Sequence, residues 1–130
     1  MACVGAFKLN VQWLDYLPYR EALISILDER FYTGEWLDSQ ILSGNFKVFT
    51  GKQSCILAAV KPYPTGALEC HVMAATGELQ ELISTAIVSV EKWAQSLGCI
   101  CCVIESRSGW AKIMKAQGYE TYQTATRKMF

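Results

Sequence analysis

The sequence predicts a mixed α/β fold in one domain of 130 residues. Three adjacent segments support this prediction. Leu68 to Met73 is typical of a strand, and Leu79 to Leu97 has the i, i+3, i+4, i+7 apolar spacing of an amphipathic helix. Cys99 to Ile104 is a continuous apolar run, typical of a parallel strand covered on both faces. Together they predict a right-handed parallel unit, and ligand sites in open α/β sheets lie at the carboxyl ends of such strands.

Shorter patterns predict the elements that precede this unit. Phe7 to Trp13 alternates apolar and polar side chains, as in a half-buried strand. Helices are predicted from Pro18 to Phe31 and from Trp36 to Gly44. Phe46 to Thr50 and the apolar run Cys55 to Val60 follow as two further strands.

A short helix and a strand are predicted after the parallel unit. Trp110, Ile113 and Met114 line one face of the helix, which ends at Gly118. The tail from Tyr119 to Phe130 is rich in Thr and Tyr and is predicted to close the sheet as an antiparallel strand.

Charge and composition bear on the classes of partner. Basic and acidic residues are equal in number, 12 each, so no net charge draws the chain to nucleic acid or to an anionic membrane. No apolar run is long enough to span a bilayer, and the amino terminus lacks the features of a secretory signal. We therefore expect a cytoplasmic protein that partners neither nucleic acid nor membrane.

The cysteines carry a separate hypothesis, a thiol or metal site. The chain has 6 of them, with Cys99, Cys101 and Cys102 clustered, but only 1 histidine and no paired Cys-x-x-Cys at zinc spacing. On a regular strand, Cys99 and Cys101 would point to one face and Cys102 to the other. This pattern favours small buried hydrophobes, and no metal is expected.

The segment Arg107-Ser108-Gly109-Trp110-Ala111-Lys112-Ile113-Met114-Lys115-Ala116-Gln117-Gly118-Tyr119 resembles the last helix and following glycine-aromatic pair of the GCN5-related N-acetyltransferases. The order of elements is similar to that family over essentially the whole chain. Its Arg-x-Gly-Trp opening is also similar to small acetyltransferase-like proteins encoded by tailed phages.

The resemblance implies a mostly antiparallel central sheet with helices on both faces and a parallel strand–helix–strand unit at a splayed centre. It implies acetyl-CoA as cofactor and a small-molecule or protein amine as acceptor. The last strand of this fold often helps to pair two copies, so a homodimer is an open alternative.

The resemblance also assigns residues to the cofactor: Met73, Ala74, Thr76, Gly77, Arg107 and Trp110. Active members cradle the pyrophosphate with a loop of pattern Arg/Gln-x-x-Gly-x-Gly/Ala, whereas the matching stretch, residues 73–79, has one glycine and no arginine. Glu78 places a negative charge where the anion would sit. Met114 stands where the family has a proton-donating tyrosine, and Arg107, in place of an asparagine, could contact a phosphate or be a capping residue.

Amine acylation needs a group that takes a proton from the amine. Glu69 and His71 share a facing on one strand, and Glu105 lies at the carboxyl end of the next. These three are the candidate catalytic residues. Each also has a structural interpretation, His71 as a hydrogen-bonded core residue, Glu69 as a solvated side chain, and Glu105 as a turn cap or a partner of Arg107.

Two functions remain open from the sequence. The first is an N-acetyltransferase that moves acetyl from acetyl-CoA to an unknown amine. The alternative is a catalytically degenerate binding or assembly protein of the same fold, of phage origin, with Trp36, Tyr63 and Tyr122 as interface aromatics. In the enzyme the slot between the parallel strands must be open. In the binding protein Met73, Trp110 or Met114 could fill it.

Overall fold

The computed structural model describes residues 10–106 and 108–130, with the backbone alone for Ser108. The helices are α1 (Val11–Tyr16), α2 (Arg20–Ser25), α3 (Gly34–Leu42), α4 (Leu79–Glu81), α5 (Ile87–Ser96) and α6 (Ser108–Lys115). A 3₁₀ turn, Leu17–Tyr19, links α1 to α2, and a π-helical turn, Leu82–Ala86, links α4 to α5. The strands are β1 (Lys47–Thr50), β2 (Ser54–Pro62), β3 (Leu68–Gly77) and β4 (Cys99–Ile104).

The four strands form one sheet in the order β1-β2-β3-β4. β1 pairs with β2 and β2 with β3 in antiparallel fashion, whereas β3 and β4 are parallel. The continuous helix over 79–96 makes the crossover between the two parallel strands. The predicted parallel unit within a mostly antiparallel sheet is therefore confirmed.

Helices cover both faces of the sheet, as predicted. On one face the crossover helix and α6 pack on β2 and β3 around the buried residues Ile56, Ala58, Val72, Ile87, Val90 and Met114. On the other face α1, α2 and α3 pack around Tyr16, Leu23, Leu37, Ile41, Cys55 and Leu57. Successive residues of β2 thus point alternately into the two apolar clusters, as the pleat of a strand requires. Within the described residues, no helix is both long and apolar enough to cross a membrane.

The prediction of a strand from Phe7 to Trp13 is wrong for residues 11–13, which are helical, while residues 7–9 lie outside the described part of the chain. Asn10 begins α1, and its side-chain oxygen accepts a hydrogen bond from the Trp13 amide at 3.1 Å. Tyr16, one turn further on, is fully buried. Capping and burial of this helical face outweigh the short alternating pattern.

The carboxyl-terminal prediction is also wrong, because residues 119–130 form no strand. Among the described residues β4 pairs with β3 alone and therefore lies at the edge of the sheet. The prediction that β4 is covered on both faces fails with it, since Ile100 is 76% exposed. The crossover helix and α6 cover one face of β4, whereas the opposite face is exposed. The apolar composition of β4 did not predict this exposed face.

A register shift in β4 overturns the predicted facing of the cysteines. Leu68 pairs with Cys99 and Glu69 with Cys101, so Ile100 is an extra residue in the ladder. Cys99 and Cys102 consequently pack on the same apolar cluster, while Cys101 is exposed. Among the described residues, no group of His, Cys, Asp and Glu side chains could hold a metal ion.

A polar network ties the amino-terminal helices to α3. The Tyr16 hydroxyl and the Arg20 guanidinium donate to Asp38, each at 2.8 Å. The hydrogen bonds from Arg20 are the main reason that the pKa of Asp38 lies below its usual value. Burial is the main reason that the pKa of Tyr16 is raised, so this hydroxyl remains a donor.

Replacement of Asp38 by alanine (D38A) is expected to destabilise the fold by about 1–3 kcal/mol, because it leaves the buried Tyr16 hydroxyl without its acceptor. The folded-state pKa of Asp38 is depressed. Its stabilisation is therefore complete above the unfolded pKa of about 3.9 and is lost as pH falls through the folded pKa. Urea melts at pH 7 and pH 3 should show a smaller acid effect in D38A than in the wild type. An equal acid effect would contradict this role.

Candidate functional site

A bulge in β3 shapes the centre of the sheet. Leu57 of β2 pairs with Ala74 and Ala58 pairs with Val72, so Met73 has no partner residue in β2. The extra residue reverses the facing of the strand: Val72 packs into the cluster beneath the crossover helix, whereas Ala74 packs into the opposite one. A bulge of this kind re-aims backbone groups and side chains, and such bulges are common beside active sites.

β3 and β4 part immediately after this point. Their last paired residues are Val72 and Ile104, and from there to Gly77 β3 pairs with β2 alone. A cleft of about 420 Å³ opens between the strand ends. Most of its lining residues come from β3, β4, the π-helical turn and α6, and they include Met73, Ala75, Ile83, Ile104, Trp110 and Met114. Met73, Trp110 and Met114 therefore border the slot without filling it.

A second, smaller pocket of about 160 Å³ lies on the α1–α3 side of the sheet. His71 faces it from β3, and Glu105 faces it from the residue that follows β4. Met73 and Glu105 line both pockets. The structure thus brings two of the three predicted catalytic residues to one pocket, which adjoins the cleft.

Glu69 contacts His71 rather than the pocket. Its Oε1 lies 2.5 Å from His71 Nε2 and accepts a hydrogen bond from the Tyr63 hydroxyl at 2.7 Å. Its Oε2 accepts from the Cys101 thiol at 3.2 Å. The hydrogen bond from Tyr63 is the largest cause of a lowered pKa at Glu69, with smaller contributions from Cys101 and His71. Glu69 is therefore an ionised acceptor that is already occupied.

The ionised partner determines which nitrogen of His71 is basic. A carboxylate only accepts hydrogen bonds, so Nε2 carries a proton, and in the neutral ring the lone pair is on Nδ1. In the described part of the chain Nδ1 has no hydrogen-bond partner. Tyr63 stays protonated, because its bond to Glu69 raises the pKa of the phenol to about 12. Tyr63 and Cys101 were not predicted from the sequence as partners of Glu69. The turn between β2 and β3 brings Tyr63 to Glu69, and the bulge at Ile100 brings Cys101 there.

The start of the crossover helix departs from a phosphate-binding loop. Glu78 accepts hydrogen bonds from the Gln80 amide at 3.0 Å and from the Glu81 amide at 2.7 Å, through different carboxylate oxygens. Its own amide donates to the Gln53 carbonyl at 2.8 Å. A carboxylate of the chain thus occupies the orphan amides and the positive end of the helix dipole.

Gly77 and Thr76 belong to β3, although the sequence placed them in a loop. Gly77 has a φ of 122°, and a Cβ there would lie 2.2 Å from the Gln53 carbonyl oxygen. The glycine is required where β3 passes the start of β2. No observation assigns either residue to a ligand, so their cofactor role stays a prediction. Arg107 lies outside the described residues.

These residues fit acetyl-CoA only in part. The cleft between β3 and β4 lies within the range of about 300–1,000 Å³ typical of ligand pockets, and its largely apolar walls suit a narrow thioester arm. The diphosphate does not fit, because Glu78 holds the first-turn amides and Glu81 adds a second carboxylate. No step is therefore derived through the nucleotide part of the cofactor.

No protein-family model matches the sequence, and no curated protein matches it either. Solved structures do match at the level of fold. An acetyltransferase of Trypanosoma brucei has a TM-score of 0.63 at 12% identity, covering 95% of this chain and 96% of that one. Glucosamine-6-phosphate N-acetyltransferase of Arabidopsis thaliana has a TM-score of 0.67 at 9% identity, covering 95% of both chains. An aminoglycoside N-acetyltransferase in complex with CoA has a TM-score of 0.68 at 10% identity, covering 95% of this chain and 91% of that one.

Identities this low establish architecture rather than activity. The matches extend over nearly the whole of each chain, and each of the three matched proteins is named as an acetyltransferase. The parallel β3–β4 pair and the helices on both faces agree with the architecture that the resemblance implied. On this evidence the chain has the GCN5-related N-acetyltransferase fold.

Proposed function

We propose that the chain transfers an acetyl group from a thioester to an amine. The observation that supports this proposal best is the position of the His71–Glu69 pair. It lies beside a pocket that meets the cleft at Met73, where β3 and β4 have parted. An amine in the small pocket and a thioester in the cleft would approach each other at this junction, and such proximity is a large part of catalysis of a two-substrate reaction.

In the proposed reaction, His71 Nδ1 takes the proton of the amine while the amine nitrogen attacks the thioester carbonyl carbon. Glu69 holds the ring in the required tautomer and stabilises the imidazolium. The peptide group at the Met73 bulge could polarise the carbonyl oxygen. The C–N bond forms, the C–S bond breaks and the thiolate leaves. Met114 cannot donate a proton, so the thiolate takes one from water.

The test uses the full chain, S-acetylpantetheine and acetyl-CoA as donors, and a panel of primary amines. Free thiol is measured with a colorimetric thiol reagent, against a control with no amine. We expect at least one donor to raise the melting temperature and to release thiol in an amine-dependent manner. If neither donor binds and no amine releases thiol, the proposal is wrong.

A second function is that of a binding protein without catalytic turnover, and two residues favour it. Glu78 occupies the amides that would bind a phosphate. Met114 lines the cleft where a proton donor to the thiolate would be needed. The interface aromatics predicted for such a binding protein are poorly suited to that role. Trp36 is half-buried and packs against Phe46 at a ring distance of 5.6 Å, and Tyr63 is bonded to Glu69. Only Tyr122 of the three is largely exposed, at 70%. Binding of no thioester would favour this second function.

A further inference from the structure

We infer that the donor is recognised through its pantetheine arm, and that Glu78 discriminates against the diphosphate of coenzyme A. This inference rests on the proposed function and names the substrate class of the same site. The expected donors are acyl thioesters of pantetheine. None of them places a diphosphate at the start of the crossover helix.

Amides at the start of the crossover helix already donate hydrogen bonds within the chain. A bound diphosphate at the start of a helix needs free N–H groups and a positive dipole end. Here the amides of residues 78, 80 and 81 all donate within the chain, two of them to Glu78. A diphosphate would have to displace a carboxylate that is held at 2.7 Å and 3.0 Å.

The start of the crossover helix also carries negative charge from two carboxylates. Glu81, in the same turn, is fixed by the Ser54 hydroxyl and by the Gln53 amide at 3.1 Å. Its bond from Ser54 is the main reason that its pKa is lowered, so it is ionised at neutral pH. Lys52 is the one cation recorded beside this carboxylate among the described residues. Two carboxylates and one lysine give the start of the crossover helix a net negative charge that repels an anion.

The cleft between β3 and β4 is open beside this charged helix start. The cleft has room for a pantetheine arm, and its walls at Ala75, Ile83 and Ile104 are apolar. The unpaired edge of β3 beyond Met73 supplies backbone groups for the amides of the arm. Loss of the phosphate cradle alone therefore changes which donor is preferred without removing the cleft.

The experiment measures calorimetric affinities of S-acetylpantetheine, S-acetyl-4′-phosphopantetheine and acetyl-CoA for the full chain without an amine. We expect the wild type to bind S-acetylpantetheine at least as tightly as acetyl-CoA. Glu78→Ser keeps a good N-cap without the charge. We expect it to raise the affinity for acetyl-CoA about tenfold relative to S-acetylpantetheine, and less at high salt.

Glu21→Ser is the matched control, because Glu21 is an exposed acidic residue in the first turn of α2. It removes the same charge and should leave the donor preference unchanged. The inference is overturned if the wild type prefers acetyl-CoA by tenfold or more, or if Glu78→Ser does not shift the preference. If none of the three donors binds, the proposed function itself fails. A tighter affinity for an acetylated carrier protein than for S-acetylpantetheine would identify a protein-linked arm as the source.

Discussion

Replacement of His71 by glutamine (H71Q) is expected to lower the rate of amine acylation about 100-fold or more, with little change in donor affinity. A positioned general base contributes roughly 10²–10⁴-fold to such a reaction, and glutamine has no basic nitrogen. His71 faces the smaller pocket and not the cleft, so donor binding does not depend on it. Steady-state rates with a saturating amine, combined with calorimetry of the donor, separate the two effects.

Two further variants test this assignment. Glu69→Gln should reduce the rate less than H71Q, because it leaves Nδ1 in place and weakens only the support of the ring. Glu105→Gln removes the other carboxylate of the pocket. We expect it to reduce the rate much less than H71Q does. A large loss of rate in Glu105→Gln together with a normal rate in H71Q would assign the base to Glu105 instead.

Replacement of Gly77 by alanine (G77A) is expected to destabilise the fold by roughly 3 kcal/mol or more. A backbone conformation with positive φ costs an alanine about 1–3 kcal/mol. The new Cβ would also lie 2.2 Å from the Gln53 carbonyl oxygen and 2.5 Å from Ser54 Cα, both of them backbone atoms that cannot move aside. The free energy of unfolding from urea melts measures the effect.

Gly98→Ala is the matched control for G77A. Gly98 also has a positive φ, 85°, but a Cβ there meets nothing within 4 Å. It should cost about 1 kcal/mol, which is the conformational contribution alone. Equal losses of stability in the two variants would show that the close approach of β3 to β2 adds nothing to the cost of a Cβ at residue 77. A destabilised G77A with reduced donor affinity would not establish a phosphate role for Gly77, because its strand contact explains both effects.

The sequence by itself determined the elements with strong periodicity. The apolar stripe from Leu79 to Leu97 predicted the crossover helix, and the apolar run after it predicted a strand. Parallel pairing followed because a helix of this length can return the chain to the end of the sheet where the first strand began. These features are local or nearly local, so a single sequence contains them. The sequence also offered Glu69, His71 and Glu105 as alternative bases, and in the structure His71 and Glu105 line one pocket.

Features that depend on pairing between strands could not be predicted from the sequence and became visible in the structure. The bulges at Met73 and Ile100 are insertions relative to a partner strand, and a sequence read alone has no partner. The same holds for the exposure of β4. The amino-terminal alternation was too short to outweigh a capped helix with a buried Tyr16.

The chemistry of the site follows the same division. The sequence showed a carboxylate at residue 78, and the structure showed that it is bound to the helix amides. The sequence showed a histidine two residues from a glutamate. The structure added Tyr63 and Cys101, which keep that glutamate ionised, and it directs His71 Nε2 towards the same carboxylate. Residue identity sets which groups are available, but their protonation and their partners depend on contacts made by distant parts of the chain.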